Sequence, residues 1–542
     1  MSTQRIVHSA DGVRIAVHQQ GAGDGPILVL VHGHRGTNRV WDPVVELLGD
    51  RFTIVRYDLR GAGDSDAPAA TSAYRLDRFA DDFAAVADAV SDGRPVHVLA
   101  HDWGSAGVWH YLARDGADRR VASFTSVSGP GPEHVAGYLR ATLSQPLHPR
   151  RFAQGLGQLA RLAAATPRSL TVKAYRANVK PSATGIGRRI DTPVQLVVAT
   201  RDRYIGPRVY DDVAERVSRL WRRDIKAGHD ALSSHPQVLA RAVTQLVDHL
   251  DGGPADRELL HAQVGRPRKA FGDKLVSVTG AAGGIGRETA LAFAREGADV
   301  VISDVDAAGL AETARLVGIA GVQAFSYTVD VADAAAVEDF AEQVCAQHGV
   351  PDIVVNNAGV GHAGFFLDTP AEEFDRVLDI NFGGVVNGCR SFGKRLADRG
   401  TGGHIVNVAS MASYSPLSVM NAYCTSKAAV FMFSDCLRAE LDSVGIGLTT
   451  ICPGVIGTNI VDATRFSLPA GRDDDVEALR GRARKGFAAR HYGPDKVAKA
   501  IVTSVKANKA VRPVAPEAHF LYGAAHLLPQ AMRSGARGGN II

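Results

Sequence analysis

The chain is poor in cysteine and carries little excess charge of either sign. Five cysteines occur among 542 residues, all in the second half, and none stands in a CxxC pair. This number and spacing predict small buried side chains, with no disulfide framework and no metal site. The net charge of +4 comes without a basic run of the length found in nucleic-acid-binding arms. No nucleic-acid partner is therefore expected.

Long apolar runs are absent as well. The N-terminus MSTQRIVHSADGVRIAVHQQG lacks the apolar core of a signal peptide, and no stretch is long enough to span a bilayer. These absences predict a soluble, cytoplasmic protein. The stretch HFLYGAAHLLPQAMRSGARGG near the C-terminus carries an apolar helical stripe beside Arg533 and Arg537. Packing against the domain or a second subunit explains this stripe, and peripheral contact with a membrane surface or an acyl chain is the alternative.

Length and pattern predict two domains, since 542 residues exceed what one core usually holds. In the first half, strand-like runs such as PILVLVHG and PVHVLAHD alternate with helical patterns, which predicts a parallel sheet covered by helices. A second series begins with KLVSVTGAAGGIG. The polar, Gly/Pro-punctuated stretch between them predicts a linker at 256–270, with domains at 1–255 and 271–542.

The first half contains LAHDWGSAG, which has the small-residue frame of a nucleophile elbow. Asp102 stands there where hydrolases usually carry Ser. Asp202, in VATRDRYI, and His229, in KAGHDALSSHP, follow later in the chain. The order nucleophile, acid, histidine is that of the α/β-hydrolase triad. These residues predict a catalytic site at the carboxyl ends of the strands.

Residues 1 to about 250 resemble the epoxide hydrolase and haloalkane dehalogenase branch of the α/β-hydrolase fold. The shared motifs are HDWGS, YDLRGAGDS and the two downstream partners. The resemblance implies a short helical cap at about 131–190 and an Asp102 nucleophile. An Asp attacking an epoxide carbon forms an ester, whereas a Ser would form an ether that water does not readily cleave. His229 would then activate the hydrolytic water, and Asp202 would orient His229.

The same resemblance supplies further residues and marks three departures. The backbone N–H groups of Trp103 and of a residue near His34 would hold the oxyanion. Tyr175, in KAYRANV, would protonate the opening epoxide oxygen, and Tyr138 is a weaker candidate for a second such tyrosine.

The loop HGHRG lacks the proline of the family's HGxP motif, and the cap is short. The Asn expected of a dehalogenase is absent at His34, so epoxides are favoured over alkyl halides.

The second half opens on a glycine-rich loop, TGAAGGIG, between an apolar strand and a helix. In that context Gly280, Gly284 and Gly286 allow a tight turn and close approach of the backbone to a pyrophosphate. The next strand ends in Asp304, where a carboxylate can accept both ribose hydroxyls. A 2′-phosphate would be repelled there, and no Arg or Lys precedes Gly284 in the loop. The expected cofactor is NAD, with NADP disfavoured.

The motif YCTSK places Tyr423 and Lys427 four residues apart, on one face of a helix. The ammonium can lower the pKa of the phenol there while holding the cofactor ribose. With NNAG, DINFGG, IVNVAS and PGVIGT, this half resembles the short-chain dehydrogenase/reductase family across nearly its whole length. The resemblance implies that Tyr423 is the general acid/base, that Ser410 rather than Ser413 polarises the substrate oxygen, and that Asn381 and Lys427 complete the proton relay.

The resemblance also implies a set of residues that line the cofactor groove. Asp330 would contact the adenine, and Thr458 would bind the carboxamide. The full set is Gly280, Gly284, Ile285, Gly286, Asp304, Asp330, Val331, Asn357, Gly359, Tyr423, Lys427 and Thr458. The charged segment from Asn459 to about 490 is suited to the variable substrate lid of the family.

The sequence therefore predicts an α/β protein, with an α/β-hydrolase fold followed by a Rossmann-type, doubly wound parallel sheet. The expected function is bifunctional, an epoxide hydrolase fused to an NAD(P)-dependent oxidoreductase acting on a small or lipid-like apolar substrate. The alternative is a dehydrogenase whose hydrolase domain is degenerate and binds an apolar ligand or partner without turnover. A homo-oligomer formed through the dehydrogenase domain is expected.

Overall fold

The computed structural model of the chain describes residues 3–21, 25–34, 36–165, 171–178, 188–458, 463–469, 475–488 and 492–535. The chain divides into two compact units, Met1–Arg266 and Pro267–Ile542. No helix in the described part is both long and apolar enough to cross a membrane.

The first unit is built on one sheet, with eight strands among its described residues. These are β1 (Thr3–His8), β2 (Arg14–Gln20), β3 (Ile27–Val31), β4 (Thr53–Tyr57), β5 (Val96–His101), β6 (Val121–Val127), β7 (Val194–Ala199) and β8 (Leu220–Ile225). Their order is β1-β2-β4-β3-β5-β6-β7-β8. Strands β1 and β2 pair antiparallel, and the strands from β4 to β8 pair parallel. Every residue of β3, β5 and β7 is buried, as expected of parallel strands covered on both faces.

Helices cover both faces of this sheet. They are α1 (Asp42–Leu48), α2 (Leu76–Ser91), α3 (Asp102–Leu112), α4 (Ala117–Arg120), α5 (Pro132–Leu143), α6 (Pro149–Ala165), α7 (Thr171–Ala177), α8 (Ala231–Ser234), α9 (Pro236–Leu250) and α10 (Arg257–Ala262). Separate apolar clusters lie on the two faces, one around Phe83 and Trp109 and the other around Trp41 and Phe52. Helices α5, α6 and α7 all lie between β6 and β7, where the sequence predicts the cap.

The second unit is built on a fully parallel sheet. Its strands are β9 (Leu275–Thr279), β10 (Asp299–Asp304), β11 (Ala324–Thr328), β12 (Ile353–Asn356), β14 (Gly403–Val408), β15 (Ile446–Pro453) and β17 (Val511–Val514). The order is β11-β10-β9-β12-β14-β15-β17. This order reverses direction between β9 and β12, which creates the crevice where doubly wound sheets bind ligands. Two short strands, β13 (His362–Gly364) and β16 (Arg465–Ser467), pair with each other outside the main sheet.

The helices of the second unit flank its sheet. They are α11 (Gly284–Arg295), α12 (Ala307–Ile319), α13 (Ala334–His348), α14 (Ala371–Leu378), α15 (Gly384–Arg399), α16 (Asn421–Leu441), α17 (Asp475–Ala488), α18 (Pro494–Lys506), α19 (Pro516–Leu527) and α20 (Pro529–Gly535). The α/β architecture predicted from the sequence is confirmed in both halves. Strand β16 and helix α17 lie in the segment that the sequence assigns to a substrate lid.

The stretch predicted as a linker at 256–270 begins with a helix that belongs to the first unit. Asp256 caps α10, because its carboxylate accepts the Leu259 N–H at 2.8 Å. Leu259 is fully buried in a cluster with Trp221 and Leu246. The division between the units therefore falls after Arg266, because these apolar contacts hold α10 against β8.

The cysteines are unpaired, as the sequence predicts, but they are not uniformly buried. All five lie in the described residues and are free thiols. Cys389 and Cys452 are buried, Cys345 and Cys424 are half-buried, and Cys436 is exposed. The expectation of burial is wrong for Cys436, because it stands on the outer side of α16, two residues beyond the buried Ser434.

We expect Leu259→Ala to lower the free energy of unfolding of the first unit by about 2–5 kcal/mol, because it leaves a cavity in a closed apolar cluster. All four tryptophans lie in the first unit, so denaturant unfolding followed by tryptophan fluorescence reports on that unit alone. Val264→Ala is the matched control, since Val264 is 39% exposed. Equal midpoints for the two variants would contradict the assignment of α10 to the hydrolase core.

Candidate functional sites

Asp102 lies at the sharp turn where β5 ends and α3 begins. Its φ is +48°, a left-handed conformation that costs a residue other than Gly a few kcal/mol at most and is concentrated at functional turns. The turn fits only because small residues surround it. A Cβ on Gly104 would collide with the His32 carbonyl oxygen, and one on Gly129 would lie 2.5 Å from the Asp102 carbonyl oxygen. The small-residue frame seen in the sequence is thus a steric requirement of this elbow.

The structure brings the three residues of the predicted triad together. His229 Nδ1 lies 2.8 Å from Asp202 Oδ2, and His229 Nε2 lies 3.8 Å from Asp102 Oδ1. The imidazole therefore stands between the two carboxylates, with one ring nitrogen directed to each. The 3.8 Å separation exceeds a hydrogen bond, so His229 is near Asp102 without being bonded to it.

The loop that carries the acid is fixed by its own backbone. Asp202 Oδ1 accepts the N–H groups of Tyr204 at 2.7 Å and Ile205 at 3.1 Å, which leaves Oδ2 for His229. The ring of Tyr204 meets the imidazole of His229 edge-on, with centroids 4.9 Å apart. These contacts hold the orientation of His229 from two sides.

His101 is a residue of this site that the sequence reasoning missed. Its Nε2–H donates to the backbone carbonyl of His229 at 3.0 Å, and the two rings lie 4.9 Å apart. The side chain is buried, so this bond anchors the histidine loop to the nucleophile strand. The available signal was its position, directly before Asp102 in AHDWG.

The altered HGHRG loop keeps an amide directed at the nucleophile. The His34 N–H donates to Asp102 Oδ2 at 2.9 Å. A Cβ on Gly33 would lie 2.6 Å from the Asp102 Cβ, so only glycine permits this approach. Trp103, the second residue predicted to supply an N–H, lies in the first turn of α3. The missing proline therefore does not turn the His34 amide away from the carboxylate.

The cap lies close to this elbow. Tyr138, on α5, is half-buried and packs with Trp103 against the apolar cluster of the sheet. Gln158, on α6, accepts the Gly206 N–H at 3.0 Å and donates to the Tyr204 carbonyl at 2.9 Å. The cap is thus tied to the loop that follows Asp202. Tyr175 belongs to α7, but its side chain lies outside the described residues.

In the second unit, the glycine-rich loop forms a cradle that excludes side chains. Gly280 and Gly284 adopt φ of +66° and +52°, values that favour glycine. A Cβ on Gly280 would lie 2.8 Å from the Ala358 Cα, and one on Gly286 would collide with the Gly280 carbonyl. The N-terminus of α11 opens directly from this loop, with half-buried Ile285 in its first turn. The loop fits a phosphate-bearing dinucleotide.

Asp304 lies at the end of β10, beside the glycine loop. Its Oδ2 accepts the Ala282 N–H at 3.0 Å, and its Oδ1 accepts the Asp306 N–H at 3.1 Å. The nearby cation, Arg287, donates from Nε to Thr313 Oγ1 at 2.9 Å and bonds the Ala282 carbonyl. A carboxylate thus borders the crevice, and the arginine is engaged within the protein.

The other residues predicted to line the groove border the same crevice. Asn357 Nδ2 donates to the Thr279 carbonyl at 3.0 Å, which joins the ends of β9 and β12. A Cβ on Gly284 would lie 3.6 Å from Thr458, so the PGVIGT segment approaches the glycine loop. Asp330, which is exposed, follows β11, and half-buried Val331 contacts Gly384 at the start of α15.

Asn381 lies in a π-helical turn, Asp379–Gly383, between α14 and α15. Such turns are rare and are concentrated at functional sites. The Asn381 side chain is fully buried, accepts the Val360 N–H at 2.7 Å and donates to Ser426 Oγ at 3.0 Å. It thereby links the NNAG loop to α16. A Cβ on Gly359 would lie 3.0 Å from Asn381 Oδ1 and 3.3 Å from Lys427 Nζ, so glycine keeps this corner open.

The structure brings Ser410, Tyr423 and Lys427 together where β14 ends against α16. The Ser410 side chain lies close enough to the Tyr423 phenol to lower its pKa. Lys427 Nζ lies 5.9 Å from the centroid of the Tyr423 ring and donates to the Val408 carbonyl at 3.1 Å. Ser413 instead donates to the Lys427 carbonyl at 2.8 Å. These contacts favour Ser410 over Ser413 as the partner of the tyrosine.

Comparison with known proteins matches each of the two units to a family. The alpha/beta hydrolase fold model matches residues 26–161, and the short chain dehydrogenase model matches residues 274–467. The probable oxidoreductase EphD of Mycobacterium tuberculosis (strain ATCC 25618 / H37Rv) is 56% identical over 98% of this chain and 98% of its own length. The chain belongs to the EphD family of oxidoreductases. It joins an α/β-hydrolase domain to a short-chain dehydrogenase domain.

Other similar proteins match the second domain alone. The D-threitol dehydrogenase of Mycolicibacterium smegmatis is 37% identical over 41% of this chain and 90% of its own length. A short chain dehydrogenase/reductase from Burkholderia phymatum, solved in complex with NAD, is 26% identical, with a TM-score of 0.44 over 49% of this chain and 96% of its own. The second domain of this EphD-family chain is thus similar to single-domain short-chain dehydrogenases.

Carboxylates decide the charge of the histidine in the hydrolase site. Burial alone would lower the pKa of His229, but the hydrogen bond to Asp202 and the charge of Asp102 raise it above its usual value. Burial would likewise raise the pKa of Asp202, and its bonds to His229 and two backbone amides lower it instead. The neutral, basic form of His229 therefore prevails only above its raised pKa.

Burial decides the charge in the dehydrogenase site. It lowers the pKa of Lys427 to about 8. It also raises the pKa of Tyr423, against the opposing effect of the Ser410 side chain. The raised pKa of Tyr423 is opposite to the lowering that the sequence predicts, because burial of the phenol is the largest effect on it. Lys427 is charged below about pH 8 and loses its charge above it.

We expect Asp202→Asn to lower the pKa of His229, because burial then acts without its main opposing partner. The measurement is an NMR titration of the His229 imidazole, assigned with His229→Gln. Asp230→Asn is the matched control, since Asp230 is the weakest of the charges that raise this pKa, and it should cause a smaller fall. A fall of equal size in both variants would contradict the assignment of Asp202 as the partner of His229.

Proposed function

We propose that the chain is a bifunctional enzyme whose hydrolase domain opens epoxides and whose dehydrogenase domain interconverts an alcohol and a ketone. The observation that supports the first activity is the triad around Asp102, which lies at a strained elbow. His229 is bonded to Asp202, and its Nε2 lies 3.8 Å from Asp102 Oδ1. The observation that supports the second is the cluster of Ser410, Tyr423 and Lys427 beside a glycine cradle.

Hydrolysis would proceed in two steps. A carboxylate oxygen of Asp102 attacks an epoxide carbon, the C–O bond of the ring breaks, and an ester forms. The ring oxygen takes its proton from a cap tyrosine, for which Tyr138 and Tyr175 are the candidates. His229 then removes a proton from water, which attacks the ester carbonyl. The His34 N–H, 2.9 Å from Asp102 Oδ2, is positioned to stabilise the oxyanion. The acyl–oxygen bond breaks, and the leaving oxygen takes the proton held by His229, so that a vicinal diol leaves. The proton of the Asp102 carboxylic acid returns to the tyrosinate, which restores both groups.

The dehydrogenase residues would act on a carbinol. The glycine cradle and Asp304 would hold the dinucleotide, whose nicotinamide supplies the hydride acceptor or donor. Tyr423 would take the hydroxyl proton during oxidation, and Ser410 would hold the substrate oxygen. Lys427 and Asn381 would carry that proton onward. We propose NAD over NADP, because the Asp304 carboxylate borders the ribose position and Arg287 is engaged with backbone and Thr313.

The two reactions can run in series. Opening an epoxide yields a vicinal diol, and oxidation of one carbinol of that diol yields a hydroxyketone. The covalent link between the domains is what motivates this order. If each domain turned over only its own, unrelated substrates, the series would be excluded. A binding-only hydrolase domain is the alternative, and the short cap and the altered HGHRG loop of the sequence are the features that favour it.

We expect His229→Ala to slow diol formation by about two to four orders of magnitude, because the ester then lacks its activated water. The protein should be mixed with a panel of alkyl and aromatic epoxides, quenched rapidly and analysed by intact mass. The variant should accumulate an adduct equal in mass to the epoxide, and Asp102→Asn should form none.

The control for this experiment is Asp58→Asn. Asp58 is buried and does not belong to the triad. Its carboxylate accepts hydrogen bonds from the backbone N–H and the side-chain amide of Asn38. The substitution should therefore not prevent adduct formation in a folded protein. Adducts that persist in Asp102→Asn would contradict the nucleophile. The absence of adduct and diol across the panel would favour the binding-only domain.

We expect Tyr423→Phe to reduce alcohol oxidation by about 10²- to 10⁴-fold, because the variant cannot transfer the substrate proton. Epoxide opening in the same preparation should be unchanged, which makes it the internal control for the hydrolase domain and for enzyme concentration. The rate is followed by reduced-nicotinamide absorbance with NAD and with NADP in parallel. Retained activity in Tyr423→Phe would contradict the assignment, and equal kcat/KM for both dinucleotides would contradict the role of Asp304.

A further inference from the structure

The cap carries charge of one sign only beyond Glu133. Residues 134–190 contain eight arginines and two lysines, with no Asp or Glu, although the whole chain has a net charge of only +4. The excess positive charge of the sequence is therefore concentrated in this segment. Such a distribution attracts anionic surfaces.

Helix α6 within this segment presents apolar side chains to solvent. Leu156 and Leu159 are 49% and 41% exposed, and they share one face of the helix with half-buried Phe152. Leu147, in the turn just before α6, is 91% exposed. The face that packs onto the protein is polar instead, since Gln158 there bonds the backbone at Tyr204 and Gly206.

The arginines near these leucines are not neutralised by the protein. Arg140, Arg150, Arg151 and Arg161 are all exposed, and none forms an ion pair with a carboxylate of the described residues. Arg140 and Arg151 bond only a carbonyl and an amide oxygen. A helix with a leucine face and an arginine-rich polar side matches the pattern of helices that lie in a membrane interface.

We infer that the cap docks the hydrolase unit on an anionic lipid surface through α6 and the preceding turn. Charge complementarity identifies the occupant, because the exposed arginines around the leucine face of α6 have no carboxylate partner among the described residues and would attract an anionic surface. The exposed leucines favour lipid over nucleic acid, since phosphate contacts alone would leave them in water. Gln158 joins α6 to the Tyr204 loop, whose ring contacts His229, so a docked cap would hold the hydrolase site next to the lipid.

The test is co-sedimentation of the full-length protein with phosphatidylcholine vesicles, prepared with and without phosphatidylglycerol. We expect binding only to the anionic vesicles, with release at high salt as the attraction is screened. Leu156→Ser/Leu159→Ser and Arg150→Glu/Arg151→Glu should each weaken binding by about tenfold or more. The readout needs no substrate, so it does not depend on the proposed reactions.

Matched controls place the same chemical changes elsewhere on the first unit. Leu47→Ser alters a leucine that is 53% exposed. Arg5→Glu/Arg219→Glu alters two exposed arginines. Both control variants should bind the anionic vesicles as the unaltered protein does. Unchanged tryptophan-monitored unfolding verifies that the α6 variants fold.

The inference would be overturned if the protein bound neither kind of vesicle or bound both kinds equally. It would also be overturned if the protein bound an RNA or DNA oligomer and Leu156→Ser/Leu159→Ser retained that binding. Loss of vesicle binding in Phe520→Ser/Leu527→Ser alone would contradict it as well. That pair alters residues of α19 that are 73% and 81% exposed, and its loss would assign membrane contact to the C-terminal helices.

Discussion

Burial of the parallel strands on both faces is the constraint on which both sites depend. Strands such as β5 and β9 have no exposed residue, so polar side chains that a substrate can reach gather where the strands end. In the first unit this edge carries Asp102, and in the second it carries the glycine loop and Asp304. Helices begin at the same edge and direct their first N–H groups toward it. The chemistry of each domain is thus confined to one rim of its sheet.

His229 and Lys427 are both desolvated by burial, but their pKa values shift in opposite directions because their charged neighbours differ. At His229, two carboxylates outweigh burial and raise the pKa. At Lys427, burial is the main cause and lowers the pKa to about 8. One buried base is therefore held toward its charged form, and the other is brought close to neutrality. Neighbouring carboxylates thus determine the charge state of His229, whereas burial determines that of Lys427.

The sequence predicted the sites best where the residues of a motif leave the backbone only one sterically allowed path. The small residues around Asp102 and the glycines at 280, 284 and 286 each permit a single backbone path, so their place at a strand end could be predicted from the pattern. The sequence did not predict the roles of His101 and Gln158, because their hydrogen bonds join segments that are distant in sequence. It also assigned α10 to a linker, because six residues carry too little periodicity to reveal that Leu259 is buried.

The sequence by itself determined the two α/β folds, their order, the elbow and the glycine cradle, because local sterics and strand patterning depend on neighbours along the chain. Only the tertiary structure decided that His229 stands between two carboxylates, that His101 bonds the backbone of His229, and that leucines of α6 face solvent. These features depend on distances between segments far apart in sequence. Such distances are set by how helices pack on the sheets, which no local pattern encodes.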